Sequence, residues 1–155
     1  MIVNTPQQTF RAALGQFFVK ETSTENLAAA RSLIERSETA GADLLVLPEC
    51  IIARRLGMPD WGQKHAEPLD GPFVSGLREA PRGRRVTVVC TVQAKIANES
   101  RYANDLLVIQ NGELRLTYQK IHLYDAFRGK ESSYAAPGDV LPQALQIGPS
   151  KDGFL

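Results

Sequence analysis

The feature that most constrains the fold is a short, wholly apolar run, Leu-Leu-Val-Leu at residues 44–47. A run of this kind suits a β-strand that is covered on both faces, as strands of parallel sheets are. The helix before it is predicted to begin at the capping box Thr22–Glu25 and to end near Gly41. Residues 10–19 are typical of an earlier strand. Strand, helix and buried strand in this order predict a parallel crossover unit, and therefore an α/β fold.

The rest of the chain is consistent with a single domain of 155 residues. A long loop rich in Gly and Pro is predicted over residues 53–72, a short helix over 72–79 and a third strand over 86–92. Asn111-Gly112 separates two strand-like segments, 102–110 and 113–118, and is a strong hairpin signal because both residues tolerate positive φ.

Composition excludes several classes of partner. The 18 basic and 17 acidic residues give a net charge of +1, which provides no broad field for nucleic acid or an anionic membrane. Neither is therefore expected as a partner. The local run of arginines is expected to be a solvated surface: Arg78, Arg82, Arg84 and Arg85.

The sequence contains no recognisable signal peptide and no run of about 18 apolar residues, so we expect a cytoplasmic protein. Cys50 and Cys90 have neither the number of a disulfide framework nor the spacing of a metal site. Walker, dinucleotide-binding, zinc-hydrolase and nucleophile-elbow motifs are absent. We therefore expect no cofactor and no metal.

Two charged residues follow predicted strands. Glu49 comes just after the apolar run, and Lys120 comes just after the second strand of the hairpin. Ligands of open α/β sheets bind outside the carboxyl ends of the strands, so the two side chains are expected to meet there. Taken alone, Glu49 would more often be a carboxylate at a helix start or in a loop, and Lys120 a solvated charge at the end of a strand.

The order and spacing of several short motifs extend this interpretation. The chain resembles the nitrilase superfamily, the carbon–nitrogen hydrolases, over essentially its whole length. The resemblance rests on Gln16, Asn26-Leu27, the block Gly41 to Glu49, Tyr102-Ala103-Asn104, the block Tyr118 to Asp125, Glu131-Ser132 and Pro137-Gly138. It implies that residues 1–155 form the amino-terminal half of a four-layer α-β-β-α sandwich, as a partial carbon–nitrogen hydrolase domain.

The resemblance also implies roles. Glu49 matches the family's general base, Lys120 its charge-stabilising lysine, and Glu131 a second glutamate that positions the lysine. The family's nucleophilic cysteine lies in a Cys-Tyr-Asp-like segment beyond the Pro-Gly block. Residues 151–155 resemble the approach to that segment, so we expect the chain as given to lack the nucleophile and to be inactive.

Neither cysteine is expected to replace that nucleophile. On an extended segment the Cys50 thiol would point away from the Glu49 carboxylate. Cys90, among valines, is typical of a small buried hydrophobe.

Four further residues belong to these motifs or follow them closely. Tyr124 and Phe127 could line a substrate pocket or simply pack. His122 is expected to make a structural hydrogen bond to the backbone, and Asn104 to brace the hairpin.

The leading functional hypothesis is an amidase-type hydrolase of small linear amides that uses no cofactor. Nitrilase and carbamoylase activities within the superfamily remain open. The alternatives are a non-catalytic remnant or interaction module of the same fold, or the product of a disrupted gene. Exposed sheet edges would favour self-association, and symmetric homo-oligomers are what the resemblance implies.

Overall fold

The protein is described from a computed structural model that covers residues 9–127 and 129–147. The described residues form one mixed, six-stranded sheet. Its strands are β1 (Ala12–Leu14), β2 (Leu44–Val46), β3 (Thr87–Lys95), β4 (Tyr102–Gln110), β5 (Glu113–Gln119) and β6 (Ala135–Ala136). The helices are α1 (Ser23–Thr39), α2 (Trp61–Lys64) and α3 (Pro72–Glu79), and a 3-10 turn spans Glu131–Ser133.

Strand direction determines what gathers at each edge of the sheet. The order is β1-β2-β3-β4-β5, in which β1, β2 and β3 are parallel and β4 runs antiparallel to β3 and β5. The carboxyl ends of β1, β2, β3 and β5 therefore lie at one edge, together with the start of β4. At this edge β6 pairs with β4 at Tyr102 and Ala103, where β5 has already ended.

The core lies between the sheet and the helices. Ala30 and Ile34 of α1 and Phe73 and Leu77 of α3 pack against strand residues such as Val88 in one buried cluster. Burying an aliphatic or aromatic side chain of this size contributes roughly 1.5–3 kcal/mol, so this cluster is the main source of stability among the described residues. The architecture is the α/β arrangement expected from the crossover pattern.

The predicted elements are confirmed with changes in their boundaries. Thr22 is the N-cap of α1 and accepts a hydrogen bond from the Glu25 N–H, and Gly41 follows the helix with φ +68°. In the hairpin turn, Asn111 and Gly112 both have positive φ. No helix in the part of the chain that the structure describes is long and apolar enough to cross a membrane.

The first strand is shorter than predicted, and the third is longer. The proposed strand over 10–19 is limited to Ala12–Leu14, while β3 continues to Lys95. The physical reason for the short first strand lies in β2, which ends at Val46, two residues before Pro48. Proline has no N–H to extend the ladder, so β1 loses its partner there. The predicted loop over 53–72 also contains the short helix α2.

One buried side chain joins α1 to the segments that leave β1 and β2. Asn26 donates from Nδ2 to the carbonyl oxygens of Lys20 and Ile52, and its Oδ1 accepts the Lys20 N–H. The side chain is buried and all three contacts are 2.8–2.9 Å. The segment that follows Glu49 is therefore fixed to the first turns of α1.

We predict that Asn26→Leu lowers the free energy of unfolding by about 1–3 kcal/mol, because it removes the side-chain partner of the Lys20 N–H and of the Ile52 carbonyl oxygen. Urea unfolding followed by circular dichroism measures the change. The control is Ser32→Ala on an exposed position of the same helix, which should change stability by less than about 0.5 kcal/mol. Equal stabilities of wild type and Asn26→Leu would contradict this account of the segment.

Candidate active site

Three charged side chains meet at the edge where β2 and β5 end. Lys120 Nζ lies 3.1 Å from Glu49 Oε1 and 3.0 Å from Glu131 Oε2. A second contact joins Lys120 Nζ to Glu131 Oε1 at 3.3 Å. One ammonium group is thus shared by two carboxylates, which were brought from positions 49 and 131 of the chain. The structure places together all three residues to which the resemblance gave catalytic roles.

The turn that carries Glu49 is held by polar side chains of β3. Gln93 accepts the Ile52 N–H at its Oε1, and its Nε2 donates to the carbonyl oxygens of Cys50 and Ala53. Thr91 Oγ1 accepts the Cys50 N–H at 2.7 Å. These contacts satisfy the backbone of a tight turn in which Cys50 has φ +55°. The position of Glu49 therefore depends on two strand residues that the sequence analysis did not identify.

Lys120 and Glu131 are held by the chain around them. The Lys120 N–H donates to the Asn104 carbonyl oxygen, which continues the β4–β5 ladder by one step. Glu131 is buried, and its Oε2 accepts the Tyr124 N–H at 2.6 Å. The intervening loop is closed by Asp125, whose carboxylate accepts from both the N–H and the hydroxyl of Ser132.

Asn104 contributes a neutral donor to the same group. Its Nδ2 lies 2.7 Å from Glu49 Oε1 and 3.3 Å from Glu131 Oε1. The part of Asn104 that braces the hairpin, as expected, is its backbone carbonyl oxygen, which accepts the Lys120 N–H. Its side chain belongs to the charged cluster.

A cavity of about 560 Å³ opens beside the cluster. Glu49, Lys120 and Glu131 line it, and aromatic walls come from Tyr102, Tyr124, Tyr134 and Trp61. Of the two predictions for Tyr124, the position of the residue agrees with a side chain that lines a pocket. Phe127 lies elsewhere: its side chain is 99% exposed and does not line this cavity.

Two other assignments can be placed. His122 is exposed and makes no side-chain hydrogen bond to any residue in the described ranges. Over residues 9–127 and 129–147, no group of three His, Cys, Asp or Glu side chains is arranged to hold a metal ion.

The pKa values of the cluster follow from its contacts. Burial raises the pKa of Glu131, but hydrogen bonds from the Tyr124 N–H, Lys120 and Asn104 outweigh it and lower this pKa below its usual value. Burial likewise lowers the pKa of Lys120, and the hydrogen bonds and charges of Glu131 and Glu49 reverse the shift, so the result is a raised pKa. At neutral pH the lysine is therefore an ammonium and Glu131 a carboxylate.

Neither cysteine is set up as a nucleophile. Burial raises the pKa of the Cys90 thiol to about 12, and the side chain belongs to the apolar core as predicted. Cys50 differs from its prediction, because its segment is a tight turn and not extended, and the residue lines the cavity. Burial, followed by the charge of Glu49, raises the pKa of the Cys50 thiol to about 12, so it stays protonated.

Comparison with known proteins identifies the family. A sequence model of the carbon–nitrogen hydrolase family matches residues 11–153. The chain belongs to this family.

Curated relatives include amidases. The deaminated glutathione amidase of Escherichia coli O157:H7 is 31% identical over 143 residues, which is 92% of this chain and 54% of that protein. Omega-amidase NIT2 of Xenopus tropicalis is 27% identical over 139 residues, covering 84% of this chain and 48% of the relative. The chain thus spans about half the length of the curated relatives it matches.

Solved structures share the fold. A carbon–nitrogen hydrolase superfamily protein from Xanthomonas campestris superimposes with a TM-score of 0.73 at 24% identity, over 89% of this chain and 49% of that one. A variant of an amidase from Nesterenkonia sp. AN1 gives a TM-score of 0.74 at 24% identity, over 90% and 54%. The α/β architecture is therefore that of the nitrilase superfamily.

The lowered pKa of Glu131 gives a pH prediction. A carboxyl group with a lowered folded-state pKa stabilises the fold above its usual pKa of 4.5 and loses this contribution as the pH falls through its folded-state value. We predict that the unfolding free energy of wild type falls more steeply from pH 6 to pH 3 than that of Glu131→Gln. Urea unfolding at each pH measures this difference.

The control for that series is Glu113→Gln, which removes an exposed carboxylate that pairs with Arg115. Its pH dependence should parallel that of wild type. If the Glu131→Gln curve also ran parallel to wild type, Glu131 would not be stabilised as a carboxylate by Lys120 and its other donors.

Proposed function

We propose that Glu49, Lys120 and Glu131 are the acid–base and charge-stabilising part of an amidase-type active site that hydrolyses small linear amides. One observation carries the proposal: Lys120 Nζ is shared between the two carboxylates beside an open cavity. Amidase relatives such as deaminated glutathione amidase and omega-amidase support the amide as substrate class.

The chemistry requires three roles. Amides are poor electrophiles, so hydrolysis is eased by a thiolate that forms a covalent thioester and releases the amine. Glu49 would take the thiol proton and later deliver it to the departing amine, which is work typically worth about 10²–10⁴-fold. The side chain is 58% exposed, so it can reach a reacting atom in the cavity.

Lys120 would stabilise the oxyanion of the tetrahedral intermediate. Its raised pKa keeps it charged throughout the reaction, which this role requires. Removing a donor of this kind typically costs about 3–4 kcal/mol of transition-state stabilisation. Glu131 would hold the ammonium group in place without contacting the substrate itself.

The thiol is proposed to come from outside residues 1–155. Cys50 and Cys90 are both held protonated by burial, and Cys90 has no access to the cavity. The related Nesterenkonia amidase carries an acrylamide adduct on an active-site cysteine, which supports a thiol nucleophile for this family. When the other members of such a unit act without their nucleophile, turnover is negligible.

We therefore predict that residues 1–155 alone release no ammonia from small linear ω-amides. A chimaera tests the site directly: residues 1–155 are followed by the part of E. coli deaminated glutathione amidase that lies carboxyl-terminal to its matched segment. Ammonia release from this chimaera is the expected result. Glu49→Gln should reduce kcat about 10²–10⁴-fold, and Lys120→Ala about 10²–10³-fold.

The matched control in the chimaera is Lys64→Ala, which removes a surface lysine paired with Asp60 and should leave kcat unchanged. A folded chimaera with no turnover would count against the proposal. So would turnover by residues 1–155 alone that disappears in Cys50→Ser or Cys90→Ser, because the nucleophile would then lie within these residues.

A second candidate is an interaction module of the same fold that pairs with another copy of itself. It is favoured by β1, an edge strand that carries Leu14 with 84% of its surface exposed, and by Phe18 just beyond it at 70%. Exposed apolar edges of this kind promote association. An inactive chimaera together with a stable dimer of residues 1–155 in sedimentation experiments would favour this reading.

A further inference from the structure

The side chain of Asn104 touches both carboxylates of the cluster and has no role so far. It is almost fully buried, on the strand that lies between β3 and β5. Its Nδ2 donates to Glu49 Oε1 and to Glu131 Oε1, the same two groups that Lys120 holds. Lys120 and Asn104 therefore bridge the same pair of glutamates.

Chemistry determines the orientation of the Asn104 amide. Ionised carboxylates only accept hydrogen bonds, so the end that faces them must be the NH₂ group. The opposite end, Oδ1, is then buried with no hydrogen-bond partner among the described residues. Leaving a buried acceptor unsatisfied costs about 1–3 kcal/mol. The Asn104 amide is thus oriented so that its NH₂ group donates to the two glutamates, while its own carbonyl oxygen is left without a partner among the described residues.

The contacts also divide the two oxygens of Glu49. Oε1 accepts from both Asn104 and Lys120, at 2.7 Å and 3.1 Å. Oε2 has no hydrogen-bond partner within the described ranges, and Glu49 lines the cavity. Two donors on one oxygen fix the plane of the carboxylate and leave the other oxygen free for a reacting proton.

We propose that Asn104 is a positioning residue: its amide aligns Glu49 on one oxygen and relieves the repulsion between Glu49 and Glu131 without adding charge. The catalytic importance of this alignment rests on the proposed function. The hydrogen bonds from Asn104 to the two glutamates, and their effect on the pKa of Glu131, do not depend on it. Two carboxylates that share one ammonium carry a net charge of −1. A lysine or arginine at position 104 would cancel that charge, and an aspartate would increase it, whereas an amide donates to both and leaves it unchanged.

The test uses residues 1–155 and needs no turnover. Glutamate labelled with ¹³C at the side-chain carboxyl allows Glu131 to be titrated by NMR in the folded protein. Because Asn104 is one of the donors that lower the pKa of Glu131, Asn104→Leu should raise the titration midpoint of Glu131 by about 0.5–1 unit. Asn104→Asp should raise it further, because a third carboxylate then faces the pair.

Several groups face Glu131, and they determine how the titration is interpreted. They are Lys120 at the end of β5, Glu49 and Cys50 in the turn after β2, Tyr102 on β4, and Tyr134 after the 3-10 turn. Of these residue types, only carboxyl groups ordinarily titrate between about pH 3 and pH 6. Asp125, whose carboxylate accepts hydrogen bonds from Ser132 beside Glu131, is a further carboxyl group in this region. Because the label is on glutamate alone, the observed signal is that of a glutamate carboxyl and not of Asp125, a thiol or a phenol.

The matched control is Gln110→Leu, which removes an amide from the same strand whose contacts are to Thr87 and Gln146. It should leave the Glu131 midpoint where wild type has it. A folded Asn104→Leu protein with an unchanged midpoint would overturn the proposal, since a purely structural asparagine would alter stability alone.

Wild type provides a second measurement if the variants fail to fold. The two side-chain NH₂ proton signals of Asn104 should shift with the same midpoint as the Glu131 carboxyl signal. Signals that stay fixed while Glu131 titrates would also overturn the proposal. An inactive chimaera with these NMR results intact would reject the proposed function and leave the role of Asn104 as an organiser of the two glutamates.

Discussion

The arrangement depends on one ammonium group shared by two carboxylates. Lys120 Nζ lies within 3.1 Å of both Glu49 and Glu131, and Glu131 is buried. Ionised groups are costly to bury unless each is paired and hydrogen-bonded. A single cation between two anions leaves one negative charge, which the Tyr124 N–H and the Asn104 amide must help to stabilise. The stability of the Glu49, Lys120 and Glu131 cluster therefore depends on how these two hydrogen-bond donors are positioned.

The topology of the sheet supplies those neighbours. Parallel pairing of β1, β2 and β3 brings the turn with Glu49 to one edge, and the β4–β5 hairpin returns Lys120 to the same edge. Because β5 stops before β4 begins to pair with β6, the 3-10 turn that carries Glu131 fits beside Lys120. Thr91 and Gln93 on β3 then fix the turn that carries Glu49. Four separate parts of the chain meet at one point as a consequence of strand direction.

Local signals in the sequence were sufficient for the longer elements, although not for α2, β6 or the 3-10 turn. The Thr22 cap, the apolar strand at 44–46 and the Asn111-Gly112 turn each depend on short-range chemistry, and the structure has them where they were predicted. Family motifs pointed to Glu49, Lys120 and Glu131 before any distance was known.

The residues that the sequence did not reveal act through tertiary contacts. A Gln in a β-branched strand gives no sign that it will satisfy three backbone groups of a distant turn, as Gln93 does. The left-handed backbone of Cys50 is imposed by that turn, against the ordinary preference of a non-glycine residue. In the sequence Asn104 resembled a hairpin residue, because the side-chain partners that reveal its other role, Glu49 and Glu131, are distant along the chain. Such contacts depend on the fold, and no local pattern encodes them.

The most direct test of the shared ammonium is a double-mutant cycle between Lys120 and Glu131, with Lys120→Met, Glu131→Gln and the double variant compared with wild type by urea unfolding at pH 7. The account predicts a coupling free energy of about 1–3 kcal/mol, the range expected for residues within one hydrogen-bonded ion-pair network. Additive effects of the two substitutions, with a coupling near zero, would show that Lys120 and Glu131 act independently and would contradict it.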